Sequence, residues 1–186
     1  VTRPTALDGL LASHGTVRQA EWFLERQGQA LAPLQEAHQR QVTAVAALTA
    51  AVPRTWRQAR ITRRDLDRFL FEPGDLVVAV GPDGLVANVA KYVGSQPIVP
   101  INPDPERFDG VLLPFRVHQA HAAVMRVIEN TAKLREITLA EARLADGQRL
   151  LAFNDLFIGA RSHVSAHYEV RIGDRRELQS SSGMLI

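Results

Sequence analysis

The chain has 186 residues, 46% hydrophobic and 23% charged. That is enough apolar material for one sizeable domain, or for one domain and part of another, and it excludes a disordered or fibrous chain. Lys and Arg outnumber Asp and Glu by only 22 to 20, a net charge of +2 spread along the sequence, which argues against a nucleic-acid partner.

The densest basic run, Arg60, Arg63, Arg64 and Arg68, is interrupted by Asp65 and Asp67 and reads as a solvated helix face. The chain contains no cysteine, which removes disulfides, thiolate metal sites and thiol nucleophiles. No apolar stretch reaches the roughly 18 residues that a membrane span needs. No hydrophobic signal segment follows Val1-Thr2-Arg3-Pro4, so a cytoplasmic address is expected. Basic residues are almost all Arg, with Lys only at Lys91 and Lys133, a bias that hints at a GC-rich bacterial gene.

From Thr16 to about Val52 the pattern is helical. Ala20, Phe23 and Leu24 recur at helical spacing, and Leu31, Leu34, Ala37, Val42, Val45 and Leu48 continue the stripe. Gln27-Gly28-Gln29 separates two helices, Pro33 falls in the first turn of the second, and Pro53 ends it. This segment is expected to be a helical extension or a dimer contact. Trp22 and Trp56 are expected to fill core or interface positions.

The grammar then changes. Gln58 to Ile61 predicts a short strand and Arg64 to Phe71 a short helix. Asp75-Leu76-Val77-Val78-Ala79-Val80 is a β-branched run suited to a strand buried on both faces. It leads into Gly81-Pro82-Asp83-Gly84, with a helix expected from Leu85 to about Tyr92. Pro97-Ile98-Val99-Pro100-Ile101 predicts a second buried strand, ending at Asn102-Pro103-Asp104. Strand, turn, helix and strand at this spacing form a βαβ unit and an open parallel sheet. Ligands bind at the carboxyl edge of such sheets, where both polar turns fall.

Phe115 to Asn130 predicts a helix. Beyond Lys133 the apolar period becomes two, with hairpin turns at Asp146-Gly147 and Gly173-Asp174. A strand is expected from Leu150 to Ile158. Gly183-Met184-Leu185-Ile186 reads as the start of another strand, and the second domain is expected to be truncated. The boundaries are 1–130 for the helical extension plus an α/β domain and 131–186 for an antiparallel β region.

The sharpest local feature is Val80-Gly81-Pro82-Asp83-Gly84. Glycines after a buried strand and before a helix let backbone amides approach phosphates. A carboxylate there suits proton removal from a hydroxyl, or help in holding Mg²⁺ between phosphates. Pro-Asp-Gly is also an ordinary turn sequence. His118 and His121 share a helical spacing but lack a third metal ligand, so no protein metal site is expected.

Asp75 to Gly84 resembles the Gly-Gly-Asp-Gly signature of NAD kinases and of the related diacylglycerol-type lipid kinases. Ile101-Asn102-Pro103-Asp104 resembles the NAD kinase Gly-Ile-Asn-x-Gly turn. Phe153-Asn154-Asp155-Leu156-Phe157-Ile158 resembles its Leu-Asn-Glu-Val-Val-Ile strand, and Ser182-Gly183-Met184-Leu185-Ile186 its Asp-Gly-Leu-Ile-Val segment. The matches fall in family order over about residues 75–186.

The resemblance implies a Rossmann-like α/β domain followed by a β-sandwich, with the nucleotide between them. It implies that Asp83 activates the 2′-hydroxyl of the adenosine ribose of NAD. Gly81 and Gly84 would leave room for phosphates, Asn102 would shape the adjacent turn, and Asn154 with Asp155 would hold the ribose and pyrophosphate. ATP or polyphosphate with Mg²⁺ would supply the phosphoryl group, and the protein would form a homodimer or tetramer.

The sequence departs from the family at several points. Pro82 replaces the second glycine and removes an N–H donor. Leu85 stands for Thr, Asp155 for Glu, Ser182 for Asp and Asp104 for Gly. A carboxylate at 104 would weaken phosphate binding unless a cation intervenes. Two alternatives therefore stand beside NAD phosphorylation: a kinase for another small hydroxyl substrate (sugar, nucleoside or lipid), and a nucleotide-binding protein without catalysis.

Overall fold

Three short strands, β1 (Val77–Val80), β2 (Ile98–Asn102) and β3 (Phe115–Arg116), lie in a parallel sheet in the order β1-β2-β3. The computed structural model describes residues 1–53 and 55–186, in two units, Val1–Glu136 and Ile137–Ile186. The parallel sheet belongs to the first unit. Among the described residues no helix is long and apolar enough to cross a membrane.

The sheet is buried on both faces because its strands send apolar side chains both ways. Val80, Val99 and Ile101 pack on one face against Ala44 of α3 (Ala32–Ala51) and Ala120, Ala123 and Val124 of α5 (Ala120–Ile128). Val77 and Ala79 face the other way, onto Leu85, Val86 and Val89 of α4 (Asp83–Val89), with Leu66 and Leu113. This is the helix-covered parallel sheet that the β-branched runs predict. Small alanines on α3 and α5 bring those helices close to the strands.

Two helices precede α3. The periodicity predicts α2 (Val17–Arg26), but α1 (Ala6–His14) was not anticipated. Its start is set by a capping box: Asp8 N donates to Thr5 Oγ1 over 3.2 Å, and Thr5 N donates to Asp8 Oδ2 over 2.7 Å. Leu7, Leu24 and Leu31 form a small cluster joining this segment. Because Ala44 lies in the core of the sheet, α3 is a layer of the fold and not an appended extension.

Other expectations are corrected. Residues 58–61 form no strand; Gln58, Ala59 and Arg60 are exposed and have no apolar face to bury. Thr62 and Val80 instead each make an isolated parallel bridge with Thr2. Only a single 3₁₀ turn, Arg63–Asp65, replaces the helix expected over 64–71, with Leu66 buried in the core and Phe71 packed against it. The helix expected over 115–130 begins with β3 and a 3₁₀ turn, Val117–Gln119, before α5. Trp22 is 58% exposed and lies against the Arg26 guanidinium, so it is not a core residue.

The second unit is antiparallel β, built as three separate two-stranded pairs. β4 (Ala140–Arg143) and β5 (Arg149–Ala152) pair around Asp146-Gly147. β7 (Ala166–Ile172) and β8 (Arg175–Ser181) pair around Gly173-Asp174. β6 (Phe157–Gly159) pairs with β9 (Gly183–Leu185), extended by mutual hydrogen bonds of Leu156 and Ile186 at 2.7 and 2.9 Å. The single strand expected over 150–158 is broken at Asn154-Asp155, residues that favour turns over strands.

Candidate functional site

The carboxyl edge of the parallel sheet gathers Gly81, Asp83 and Gly84 after β1 and Asn102 at the end of β2. Gly81 continues the ladder, donating its N–H to Ile101 O over 3.3 Å. A Cβ there would lie 2.9 Å from Leu85 Cδ2, so the packing of Leu85 disfavours a side chain at this position independently of any ligand. Pro82 is extended, with φ −75° and ψ 167°, and forms the N-cap of α4. Its ring presets that φ and its missing N–H costs nothing at a helix entrance.

The helix therefore begins at Asp83, two residues before the expected Leu85, and ends at Val89, short of Tyr92. Asp83 and Gly84 occupy its first turn and not a free loop. Asp83 is half-buried, and its Oδ1 accepts the Leu112 N–H over 2.6 Å. Its Oδ2 has no partner among the described residues. Gly84 is exposed, and a Cβ on it would meet nothing within 4 Å. Leu85, which stands where the resembled family has Thr, is 1% exposed and belongs to the core below α4.

Asn102 is 3% exposed and organises the turn after β2. Its Nδ2 donates to Phe108 O over 3.0 Å, and its Oδ1 accepts from Asp104 N over 3.0 Å. Gly110 closes the same turn at φ +71°, where a Cβ would fall 2.8 Å from Asn102 Nδ2. Asn154 and Asp155 stand in the second unit, exposed in the bend between β5 and β6.

Two residues at this edge, Gln41 and Arg40, carry no signal in the sequence. Gln41 of α3 donates from Nε2 to Val80 O over 2.9 Å, and so grips the last residue of β1. Arg40, one residue earlier, places Nε 3.0 Å from Oδ2 of Asp104, which is 3% exposed. The N–H is not aligned on that oxygen, and among the described residues neither carboxylate oxygen accepts a hydrogen bond. A cavity of about 470 Å³ lies beside this pair, lined by Glu36, Gln39, Arg40, Thr43, Ala44, Pro103 and Val117. None of Gly81, Asp83, Gly84, Asn102, Asn154 or Asp155 is among its lining residues. Contacts separated by dozens of residues leave no periodic trace, which is why only the two turns were legible.

Among the described residues no three His, Asp or Glu side chains converge to form a metal site. A Mg²⁺ ion carried on substrate phosphates needs only one or two carboxylates from the protein, and the Oδ2 of Asp83, unpartnered among the described residues, is open either to that role or to that of a base. No protein-family model matches this chain, and no curated protein shows significant similarity to it.

Proposed function

We propose that this chain is an NAD kinase-like phosphotransferase that moves a phosphoryl group from ATP, or polyphosphate, to the 2′-hydroxyl of the adenosine ribose of NAD. The observation that carries the reading is Asp83. It stands at the carboxyl edge of a parallel sheet, half-buried, with one oxygen anchored by Leu112 N–H and the other without a partner among the described residues. An anchored carboxylate has a fixed direction, which is what a general base needs.

In this reading Asp83 takes the proton of the ribose hydroxyl as that oxygen bonds to the terminal phosphorus. The bond from phosphorus to the bridging oxygen breaks, and the shortened phosphate chain leaves with the electron pair. Mg²⁺, when bound on the phosphates, neutralises charge that builds on the leaving oxygens. The open side of Gly84 leaves space for a phosphate, beside Gly81. Asn102 keeps the neighbouring turn in shape. The finer architecture belongs to the same proposal: a Rossmann-like domain, a β-sandwich built from the antiparallel pairs, a homo-oligomer and a cytoplasmic enzyme.

A second reading, phosphorylation of another small hydroxyl substrate or nucleotide binding without turnover, draws on Leu85 and Asp104. The first is committed to the core and the second adds a carboxylate beside the edge. The test is incubation with NAD, Mg²⁺ and ATP or polyphosphate, read as NADP formation. NADP production supports the first reading. ATP consumption only with a sugar, nucleoside or lipid acceptor supports the second, as does nucleotide binding with no product.

A further inference from the structure

Asp104 is a carboxylate at the carboxyl edge of the sheet, at the turn position where the resembled family carries glycine. Its side chain is almost wholly buried, and burying a lone carboxylate is strongly unfavourable. Arg40 is the one cation within 4 Å of it among the described residues, with Nε 3.0 Å from Oδ2. Arg107, on the same turn, reaches away: its Nη1 donates to Pro33 O over 3.4 Å. Among the described residues neither Asp104 oxygen accepts a hydrogen bond, so the compensation from Arg40 is one of charge.

The backbone of Asp104 is what links this charge to the candidate site. Its N–H donates to Asn102 Oδ1, while its carbonyl accepts from Arg107 N and Phe108 N, each over 3.1 Å. Phe108 O in turn accepts from Asn102 Nδ2. If the carboxylate left for water, it would draw the same residue's N–H off Asn102 and open the turn.

We infer that Arg40 is a positioning residue: by neutralising buried Asp104 it keeps the 102–108 turn closed and Asn102 in place. The inference rests on the kinase reading only in treating Asn102 as a site residue. It accounts for a carboxylate at position 104, because the cation that such a charge requires comes from α3.

The experiment is amide hydrogen exchange by NMR on the full chain, comparing wild type, Arg40→Ala, Arg40→Lys, Asp104→Asn and the Arg40→Ala/Asp104→Asn double variant. Arg40→Ala is expected to lower protection at the Asp104, Arg107 and Phe108 amides by roughly tenfold or more while the Ile101 amide keeps its protection, the pattern of a local opening. Arg40→Lys, which keeps the charge, should retain protection. In the Asp104→Asn background removal of Arg40 should change nothing, because no buried charge remains to be matched.

Should Arg40→Ala fail to fold while the double variant folds, the same charge-specific conclusion follows. Equal loss of protection in both backgrounds, unfolding of both variants, or unchanged protection in folded Arg40→Ala overturns the inference. No step depends on nucleotide, so a protein that makes no NADP leaves this result readable by itself.

Discussion

The Leu112 amide donates to Asp83 Oδ1 across 2.6 Å and ties the first turn of α4 to the segment running from β2 towards β3. The two polar turns at the sheet edge are therefore one unit: Asp83 holds the chain at 112, and Asn102 holds it at 104 and 108. The candidate base and its neighbouring turn share a scaffold, and changes at Asp83 have a structural as well as a chemical consequence.

That double role separates two substitutions. Asp83→Asn keeps an oxygen for the Leu112 amide and should stay within about 1 kcal/mol of wild-type stability, whereas Asp83→Ala leaves that amide without its acceptor and should cost about 1–3 kcal/mol. Urea unfolding followed by circular dichroism checks both values. Equal losses in the two variants would mean that the hydrogen bond contributes nothing.

The two glycines of the β1–α4 junction should respond in opposite senses. Gly81→Ala drives a Cβ to 2.9 Å from Leu85 Cδ2 in a filled core and should destabilise by about 1–3 kcal/mol. Gly84→Ala meets open space within a helix and should stabilise by roughly 0.5–1 kcal/mol. If a phosphate approaches the backbone at Gly84, the stabilised variant will show a raised KM for nucleotide. Thermal unfolding and initial-rate kinetics on the same preparations separate these effects.

Leu85→Thr places a hydroxyl in the core under α4. With Leu85 1% exposed, the substitution should destabilise by roughly 2–4 kcal/mol through lost apolar burial and an unpaired hydroxyl. Improved turnover at unchanged stability would show that position 85 faces the phosphates after all.

Asp65 supplies a pH-dependent marker outside the site. The Thr62 side chain and backbone hydrogen-bond its carboxylate, aided by Arg68 and Arg64, and hold it below the usual range. A depressed folded value means that the interaction contributes fully above the unfolded carboxyl pKa, near 3.9 on the model-peptide scale. It fades as pH falls through the folded value. NMR titration of Asp65 should show a midpoint below that scale, moving upward in Thr62→Ala.

The βαβ unit was legible because its signals are local. Val77 to Val80 is a continuous apolar run with three β-branched valines, and Gly81-Pro82 and Asn102-Pro103 punctuate the strand ends. Asp146-Gly147 and Gly173-Asp174 likewise carry their turn geometry in adjacent residues. α1 was missed although Thr5 and Asp8 spell a capping box, because Leu7, Leu10 and Leu11 make a short apolar pattern. Asn154-Asp155 breaks a strand that apolar content alone would have continued. Arg40 with Asp104, and Gln41 with Val80 O, were beyond reach because a tertiary pairing across the chain has no period.

NADP formation by the full chain with NAD, Mg²⁺ and ATP or polyphosphate, measured for wild type beside Asp83→Asn, tests the central claim most directly. The expected result is NADP from the wild type and a loss of roughly a hundredfold or more in the variant, the scale of removing a general base, with both proteins unfolding at similar urea concentration. Turnover of the variant within a few-fold of wild type, or no NADP from a folded wild type, would contradict the assignment of Asp83 as the base of an NAD kinase.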